Sequence, residues 1–363
     1  MKLLIITQKY DVNDSNLGAF IDWWDKLAEN MEKVYVLALE KQSGPTKPNM
    51  EVLSMGKENG AGFFRKIFGF YYGLFKTIGK VDVVLVHMIP KYVILSFPIA
   101  IIFRKPIYLW YTGVSANRDL RFAAYFCRKI FTAHEAAMRI NTPKRVVTGH
   151  GIDVNKFKCQ MSLRRQSYGA SATKVKSNDE ITILSVGRVT PSKGHDLTIR
   201  AVSELVKRDY DLKLKIIGGV IQDYHRPYLA ELKSLTQESG IGDKVEFIGP
   251  ATFDKMPGYL NSADILINAV PFGGLDKVVL EAMASCVIPL TSNSAFTNVF
   301  PKDFSKNLIF GQNKIEDLKE KLKYILDKKL YENEILRREL REVIVQNHNL
   351  NNLVDRIIKE MSR

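Results

Sequence analysis

Short apolar runs recur along the chain, each followed by a longer stretch in which apolar positions return every three to four residues. Continuous apolar runs bounded by turn residues suit strands buried on both faces, and the longer periodic stretches suit the helices that cover them. Their alternation is the pattern of parallel strands joined by helical crossovers. In the first half it predicts strands at 2–7, 33–39, 81–87, 106–111, 129–132 and 145–148, with helices at 19–30, 63–78 and 119–126. A second series follows, with strands at 181–186, 212–217, 244–248, 265–268 and 288–291 and helices at 196–208, 228–239 and 277–284.

Between the two series the text turns polar, small and basic, "KCQMSLRRQSYGASATKVKSNDE", and loses all apolar periodicity. Residues 158–180 therefore read as a linker between a first domain at 1–157 and a second at 181–347. A length of 363 residues, more than one core usually holds, agrees with two domains. Each reads as an α/β doubly wound parallel sheet, and two in tandem are expected to face each other across a cleft. The stretch from 315 onward reads as helical, and Leu350, Leu353, Ile357 and Ile358 give its last helix one apolar stripe.

Composition narrows the setting. Cys127, Cys159 and Cys286 are few, odd in number and unclustered, which predicts no disulfide framework, no metal knuckle and a reducing compartment. "MKLLIITQKYD" reads as a first strand and lacks the form of a signal peptide, and the apolar run 93–103, broken by Pro98, is too short to span a bilayer. The expectation is a cytoplasmic protein, soluble or peripheral. A net charge of +14 suits anionic lipid, nucleic acid or phosphorylated small molecules, and equally a surface kept soluble by lysine.

Four stretches carry candidate chemistry. "SVGRVTPSKGHD" places Gly187, Arg188 and Lys193 just past a strand and before a helix, where a guanidinium, an ammonium and free backbone N–H groups converge on a di-anion. "PFGGLDKVVLEAMAS" opens a helix with Gly273, Gly274 and Leu275, so the backbone can approach a ligand. There Asp276 is a candidate N-cap or functional carboxylate, Lys277 a third cation, and Glu281 a semi-buried carboxylate that ribose hydroxyls would satisfy. "LKIIGG", with Gly218 and Gly219, and "VEFIGP", with Pro250, supply two loops on one sheet edge for a nucleobase, or simply core packing. "TGHGIDVNKF" sets glycines around His150 at the end of the first domain, as a site or as a turn into the linker. The six histidines are scattered without metal-ligand spacing, so no metal site is expected.

In this order the motifs "HGIDVNKF", "VGRVTPSKG", "LKIIGG", "VEFIGP" and "LEAMAS" resemble the family 4 retaining glycosyltransferases, enzymes of the two-Rossmann-domain GT-B type, across essentially the whole chain. The resemblance implies that Arg188 and Lys193 bind the diphosphate of a UDP- or GDP-linked sugar and stabilise it as it leaves. Glu281 would hold the ribose, Gly273 to Lys277 would cradle phosphate and sugar, and Gly18 would belong to a first-domain loop meeting the donor. Such enzymes need no metal or other cofactor, and a last helix, 348–363 here, would cross back onto the first domain.

Two positions depart from the family. The glutamate usual eight positions before Glu281 is Gly273, with Asp276 the nearest carboxylate, and where relatives often have His-Gly after the strand, "LWYTGV" here has Thr112 and Gly113. His87, Thr112, His134 and His150 are the candidates for the acceptor side. The reading is a metal-independent hexosyltransferase acting on a glycan or lipid-linked acceptor in cell-surface polysaccharide or glycolipid synthesis. The alternative is a catalytically silent relative that binds nucleotide sugar as a partner or scaffold. Nucleic acid is not expected as a partner, because no aromatic-interleaved reader motif accompanies the basic residues.

In "FFRKIFGFYYGLFKTIGK", residues 63–80, Lys66, Gly69, Gly73, Lys76 and Lys80 project onto one stripe and aromatics cover the rest. That face suits contact with an anionic membrane from the cytoplasmic side, or a core helix with a solvated lysine edge.

Overall fold

The computed structural model describes residues 1–14, 17–113, 116–160, 180–271 and 273–363. Most of the expected linker, 161–179, lies outside the described residues. The chain divides into two compact units, Met1–Asp153 with His348–Arg363, and Val154–Asn347.

In the first unit the strands are β1 (Lys2–Tyr10), β2 (Lys33–Lys41), β3 (Met50–Ser54), β4 (Val83–His87), β5 (Ile107–Trp110), β6 (Cys127–Thr132) and β7 (Arg145–Val147). All run parallel, in the order β3-β2-β1-β4-β5-β6-β7. Helices α1 (Ile21–Glu29), α2 (Phe63–Ile78), α3 (Pro90–Ile102) and α4 (Arg118–Phe126) are the crossovers. Alternate residues of β1 serve opposite faces. Leu3 and Ile5 pack with Trp23, Trp24 and Leu27 of α1, and Leu4 and Ile6 pack with Phe70 and Leu74 of α2, Val93 of α3 and Leu120 of α4.

In the second unit the strands are β8 (Ile181–Val186), β9 (Leu212–Ile217), β10 (Val245–Gly249), β11 (Ile265–Asn268) and β12 (Ile288–Thr291). They form a parallel sheet in the order β10-β9-β8-β11-β12. Its helices are α5 (His195–Val206), α6 (Arg226–Glu238), α7 (Met256–Asn261), α8 (Lys277–Ala284), α9 (Lys302–Leu308), α10 (Ile315–Asp327) and α11 (Glu334–Asn347). The last helix, α12 (Leu350–Met361), belongs to the first unit, where Leu353, Val354 and Ile357 pack against α1 and the sheet. Its start is fixed by backbone: Ile152 N–H donates to the His348 carbonyl at 2.7 Å, and Leu350 N–H to the Ile152 carbonyl at 2.9 Å.

Two elements escape the sequence pattern. Strand β3 is a half-buried edge strand beside β2, too short and too polar to stand out. The apolar run around Pro98 is helix α3, with Pro98 inside it and exposed. No helix of the described residues is long and apolar enough to cross a membrane.

The cysteine expectation is corrected. Cys159 and Cys286 form a disulfide with their Cα atoms 5.2 Å apart, while Cys127 is free and buried. The pair is separated by 127 residues, so only the tertiary fold brings it together.

The polar stripe read on α2 is also revised. An added Cβ on Gly73 would lie 2.4 Å from Leu37 Cδ1, and one on Gly69 would lie 2.8 Å from the Met55 carbonyl oxygen. These glycines form the seam where the helix meets β2 and the chain after β3, while Phe64, Phe68, Tyr72 and Phe75 point away and Phe70 is buried in the core.

Candidate functional site

The order β10-β9-β8-β11-β12 reverses direction between β8 and β11, the place where open α/β sheets bind ligands beyond their carboxyl ends. The loops leaving those two strands carry the candidate residues. After β8 the chain passes through Gly187, turns at 191–193 and enters α5. The Lys193 side chain folds back over Gly187, where an added Cβ would stand 3.0 Å from Lys193 Cδ. Gly194, with φ of 62°, meets the first residue after β11: its added Cβ would stand 2.6 Å from the Ala269 Cβ.

Lys193 Nζ stands 3.5 Å from Asp276 Oδ1. Asp276 holds the N-cap position of α8 by backbone conformation, yet its side chain makes no capping hydrogen bond. Its other oxygen, Oδ2, is buried without a hydrogen-bond partner among the described residues. The capping alternative therefore fails, because the carboxylate turns toward the β8 loop instead of the helix N–H groups. Arg188 is exposed and takes part in no ion pair among the described residues, so its guanidinium is available to a ligand.

Glu281 lies one turn into α8 and is 5 % exposed. Burial pushes its pKa up, against the pull of Lys277 and Lys156. Lys277 Nζ is 3.9 Å from Glu281 Oε1. Lys277 and Lys156 also flank one aromatic ring, each ammonium 4.8 Å from the centre of Phe253. Leu275 is buried, and the Gly274 carbonyl accepts from Asn293 Nδ2 at 2.8 Å. Gly273, with φ of 156°, has open space where a side chain would start.

The two neighbouring loops close on the same edge. Gly218 N–H donates to the Gly249 carbonyl at 2.9 Å, and Val189 N–H to the Gly219 carbonyl at 3.0 Å. An added Cβ on Gly218 would come within 1.7 Å of the Gly187 oxygen, and one on Gly219 within 3.1 Å of Pro250 Cβ. The second unit thus brings together Gly187, Arg188, Lys193, Gly218, Gly219, Pro250, the 273–277 loop and Glu281.

Three residues of this site had no signal in the sequence. His195 is fully buried at the start of α5, and its Nδ1 lies 2.8 Å from Ser185 Oγ. Its Nε2 lies 3.3 Å from both the Gly187 and Arg188 carbonyls. Burial lowers its pKa, so the neutral ring accepts from Ser185 and donates to the loop that carries Arg188. Asn293 steadies the glycine loop, and Phe253 spaces the two lysines. The His195 contacts are local, to the strand end and loop just before its helix, whereas the Phe253 ring reaches Lys156 from far away in sequence.

In the first unit the acceptor-side candidates lie along the carboxyl edge of the sheet. His87 ends β4, and its Nδ1 is 3.1 Å from Thr7 Oγ1. Its ring packs against Phe20 at 4.2 Å and Trp110 at 5.5 Å. Thr112 follows β5 and donates to Met88 Sδ at 3.6 Å. His134 follows β6 and accepts from Ala136 N–H through Nδ1, and burial lowers its pKa. His150 follows β7, is buried, and lies 6.3 Å from the Trp110 ring. Gly18 follows β1, packed so closely that an added Cβ would stand 2.7 Å from the Val12 carbonyl oxygen.

Residues 170–349 match the family model described as glycosyl transferases group 1. These residues are a group 1 glycosyltransferase domain. Among similar curated proteins, a Xenopus laevis GDP-Man:Man(3)GlcNAc(2)-PP-Dol alpha-1,2-mannosyltransferase is 33% identical over 124 residues, 33% of this chain and 25% of that protein. A Mycobacterium tuberculosis GDP-mannose-dependent alpha-(1-6)-phosphatidylinositol monomannoside mannosyltransferase is 28% identical over 153 residues, 40% of this chain and 37% of that protein. The matched stretch thus spans well under half the length of these relatives.

Solved structures match over the whole chain. Anabaena HepE in complex with UDP aligns with a TM-score of 0.75 at 15% identity, covering 100% of both chains. Sucrose-phosphate synthase of Thermosynechococcus elongatus aligns with a TM-score of 0.74 at 14% identity, covering 99% of this chain and 97% of that one. With the group 1 domain in the second unit, these likenesses give the chain the GT-B fold, two Rossmann-like parallel-sheet domains.

Proposed function

We propose that the chain moves a sugar from a nucleoside-diphosphate sugar to a glycan or lipid-linked acceptor, with retention at the anomeric carbon. The observation that carries this reading is the convergence of Arg188, Lys193 and the 273–277 loop at the switch point of the second sheet. Two cations and a glycine-lined helix entrance fit a diphosphate, and the buried Glu281 beyond them fits ribose hydroxyls, which would donate to its carboxyl.

Transfer then runs on few groups. The bond from the anomeric carbon to the diphosphate oxygen breaks, and Arg188 and Lys193 neutralise the charge that develops on the leaving oxygen. The acceptor hydroxyl oxygen forms its bond on the same face of the sugar, and its proton passes to a leaving phosphate oxygen. Asp276, held beside Lys193, is the carboxylate nearest the sugar. In this reading Arg188 and Lys193 supply the positive charge at the diphosphate, and no metal is assigned a role.

GDP-mannose is the first donor to test, since the similar mannosyltransferases use it by name, and UDP-sugars follow from the UDP bound by HepE. The acceptor side is assigned to the edge lined by His87, Thr112, His134 and His150, and the place of action to the cytoplasmic face of a membrane, in polysaccharide or glycolipid synthesis. Gly273 favours a second reading, a relative that binds donor without turnover, because open space stands where the family carries a carboxylate. A panel of nucleotide sugars assayed for donor hydrolysis and transfer, with Arg188→Ala and Lys193→Ala as controls, separates the two. Release of nucleoside diphosphate, lost in both variants, supports the enzyme, and binding without release supports the silent relative.

A further inference from the structure

Ten of the fourteen exposed large apolar side chains among the described residues fall between Phe63 and Tyr125, in the single layer formed by α2, α3 and α4. On α2 the spacing of Phe64, Phe68, Tyr72 and Phe75 puts them on one face, opposite the buried Phe70, Leu74 and Ile78. The last turn of α3 adds Ile101, Ile102 and Phe103, and α4 adds Phe122 and Tyr125. Phe64 is 85% exposed, Ile102 75% and Tyr125 77%, values far from those of a packed face.

The three helices are continuous. Phe70 of α2 stacks on Tyr92 of α3 at 5.7 Å, and Phe97 of α3 stacks on Phe126 of α4 at 4.1 Å. All three pack their inner sides on the same face of the first sheet, so their outer sides share one surface. An apolar surface of this extent marks a contact site.

Charge selects the occupant. Residues 61–131 hold eleven Lys and Arg against two Asp and no Glu, a balance of +9 out of the chain's +14. Arg65, Arg104, Arg118 and Arg121 are exposed beside the aromatics. The acids are occupied, Asp119 near Lys91 at 3.7 Å and Asp82 accepting from the Lys2 N–H at 2.7 Å. A second copy of the chain would set this positive surface against itself. Aromatic and aliphatic side chains ringed by arginine match the interface of an anionic bilayer, where rings enter the acyl boundary and guanidinium groups meet phosphate.

We propose that the outer face of α2, α3 and α4 together is a docking surface for an anionic lipid bilayer. This extends the membrane setting of the proposed function from one helix to a whole layer, and it rests on the membrane part of that reading, not on sugar transfer.

The test is co-sedimentation of the full chain with phosphatidylcholine vesicles and with vesicles in which a third of the lipid is phosphatidylglycerol. The expected result is binding to the second kind only, weakened by salt. The pairs Phe64→Ser with Phe68→Ser on α2 and Ile101→Ser with Ile102→Ser on α3 each lower partitioning about tenfold or more. Arg118→Gln with Arg121→Gln on α4 lowers it about thirtyfold, at about 1 kcal/mol for each cation. Ile335→Ser, an exposed apolar residue of α11, leaves binding unchanged.

Binding to neither vesicle, equal binding to both, or an α3 pair without effect overturns the proposal. So does self-association in light scattering that the α2 pair abolishes, which would assign the face to a second copy. Thermal melting checks that each variant remains folded. Because no nucleotide sugar enters the assay, its outcome is independent of whether the chain transfers sugar.

Discussion

Lys193 and Asp276 approach within 3.5 Å across the switch point of the second sheet, one on the loop after β8 and the other at the start of α8. The contact joins the cation proposed for the diphosphate with the carboxylate proposed to face the sugar. It also explains why the N-cap position of α8 has no side-chain cap.

Removing either cation should weaken diphosphate binding more than nucleoside binding. Charge-assisted hydrogen bonds contribute about 1.5–3 kcal/mol each, so Arg188→Ala and Lys193→Ala should each reduce affinity for the nucleoside diphosphate roughly 10- to 100-fold. Titration calorimetry with diphosphate and with the bare nucleoside checks this. Equal losses for both ligands would place the cations away from the phosphates.

Two glycines of the site should respond very differently to alanine. At Gly218 the new Cβ would meet the Gly187 oxygen at 1.7 Å, with φ of 153°, so the backbone of both loops must move. At Gly273 the Cβ meets nothing within 4 Å, leaving only the cost of an unfavourable φ, about 1–3 kcal/mol. Chemical denaturation of Gly218→Ala and Gly273→Ala should rank them in that order, with Gly218→Ala severely destabilised.

Most of the scaffold was legible because parallel strands buried on both faces write themselves as unbroken apolar runs. Strands β8, β9, β11 and β12 and helices α2 and α8 fall where the pattern places them. Helix α3 was not legible, because its apolar residues surround it and leave no polar face to show a helical period. The glycines and cations of the site announced themselves by their place after strands. His195 did not, since its role lies in local hydrogen bonds to Ser185 and the Gly187 and Arg188 carbonyls that residue type alone does not reveal. Asn293 and Phe253 did not, since each acts through a partner that the fold brings near. The Cys159–Cys286 bond was missed for the same reason.

Glu281 sets a pH dependence whose sign follows from burial. Its folded pKa is raised above the ordinary carboxylate value, so the native state holds a proton that the unfolded chain has lost. That contribution is fully present below the unfolded pKa and is lost as pH rises through the folded one. Glu281→Gln, which cannot ionise, should therefore gain thermal stability relative to wild type as pH rises out of the acid range, and melting curves across pH read this directly. A constant difference between the two proteins would contradict it.

His348 acts in the opposite direction. It is buried beside His134, and desolvation lowers its pKa from 6.5 to about 4. The unfolded chain takes up a proton first, so stability present above pH 6.5 is lost as pH falls toward 4, by about 3 kcal/mol in full. His348→Leu should flatten this acid limb in denaturant titrations, and an unchanged slope would assign it to other groups.

The measurement that tests the central claim most directly is a thermal-shift panel of GDP, UDP and their sugars on the wild type and on the Arg188→Ala, Lys193→Ala double variant, followed by donor hydrolysis with whichever ligand stabilises. Stabilisation by one nucleoside diphosphate family, abolished in the double variant and accompanied by release of that diphosphate from its sugar, is the expected result. Stabilisation that survives the double substitution, or none by any nucleotide, would contradict a donor site built on Arg188 and Lys193.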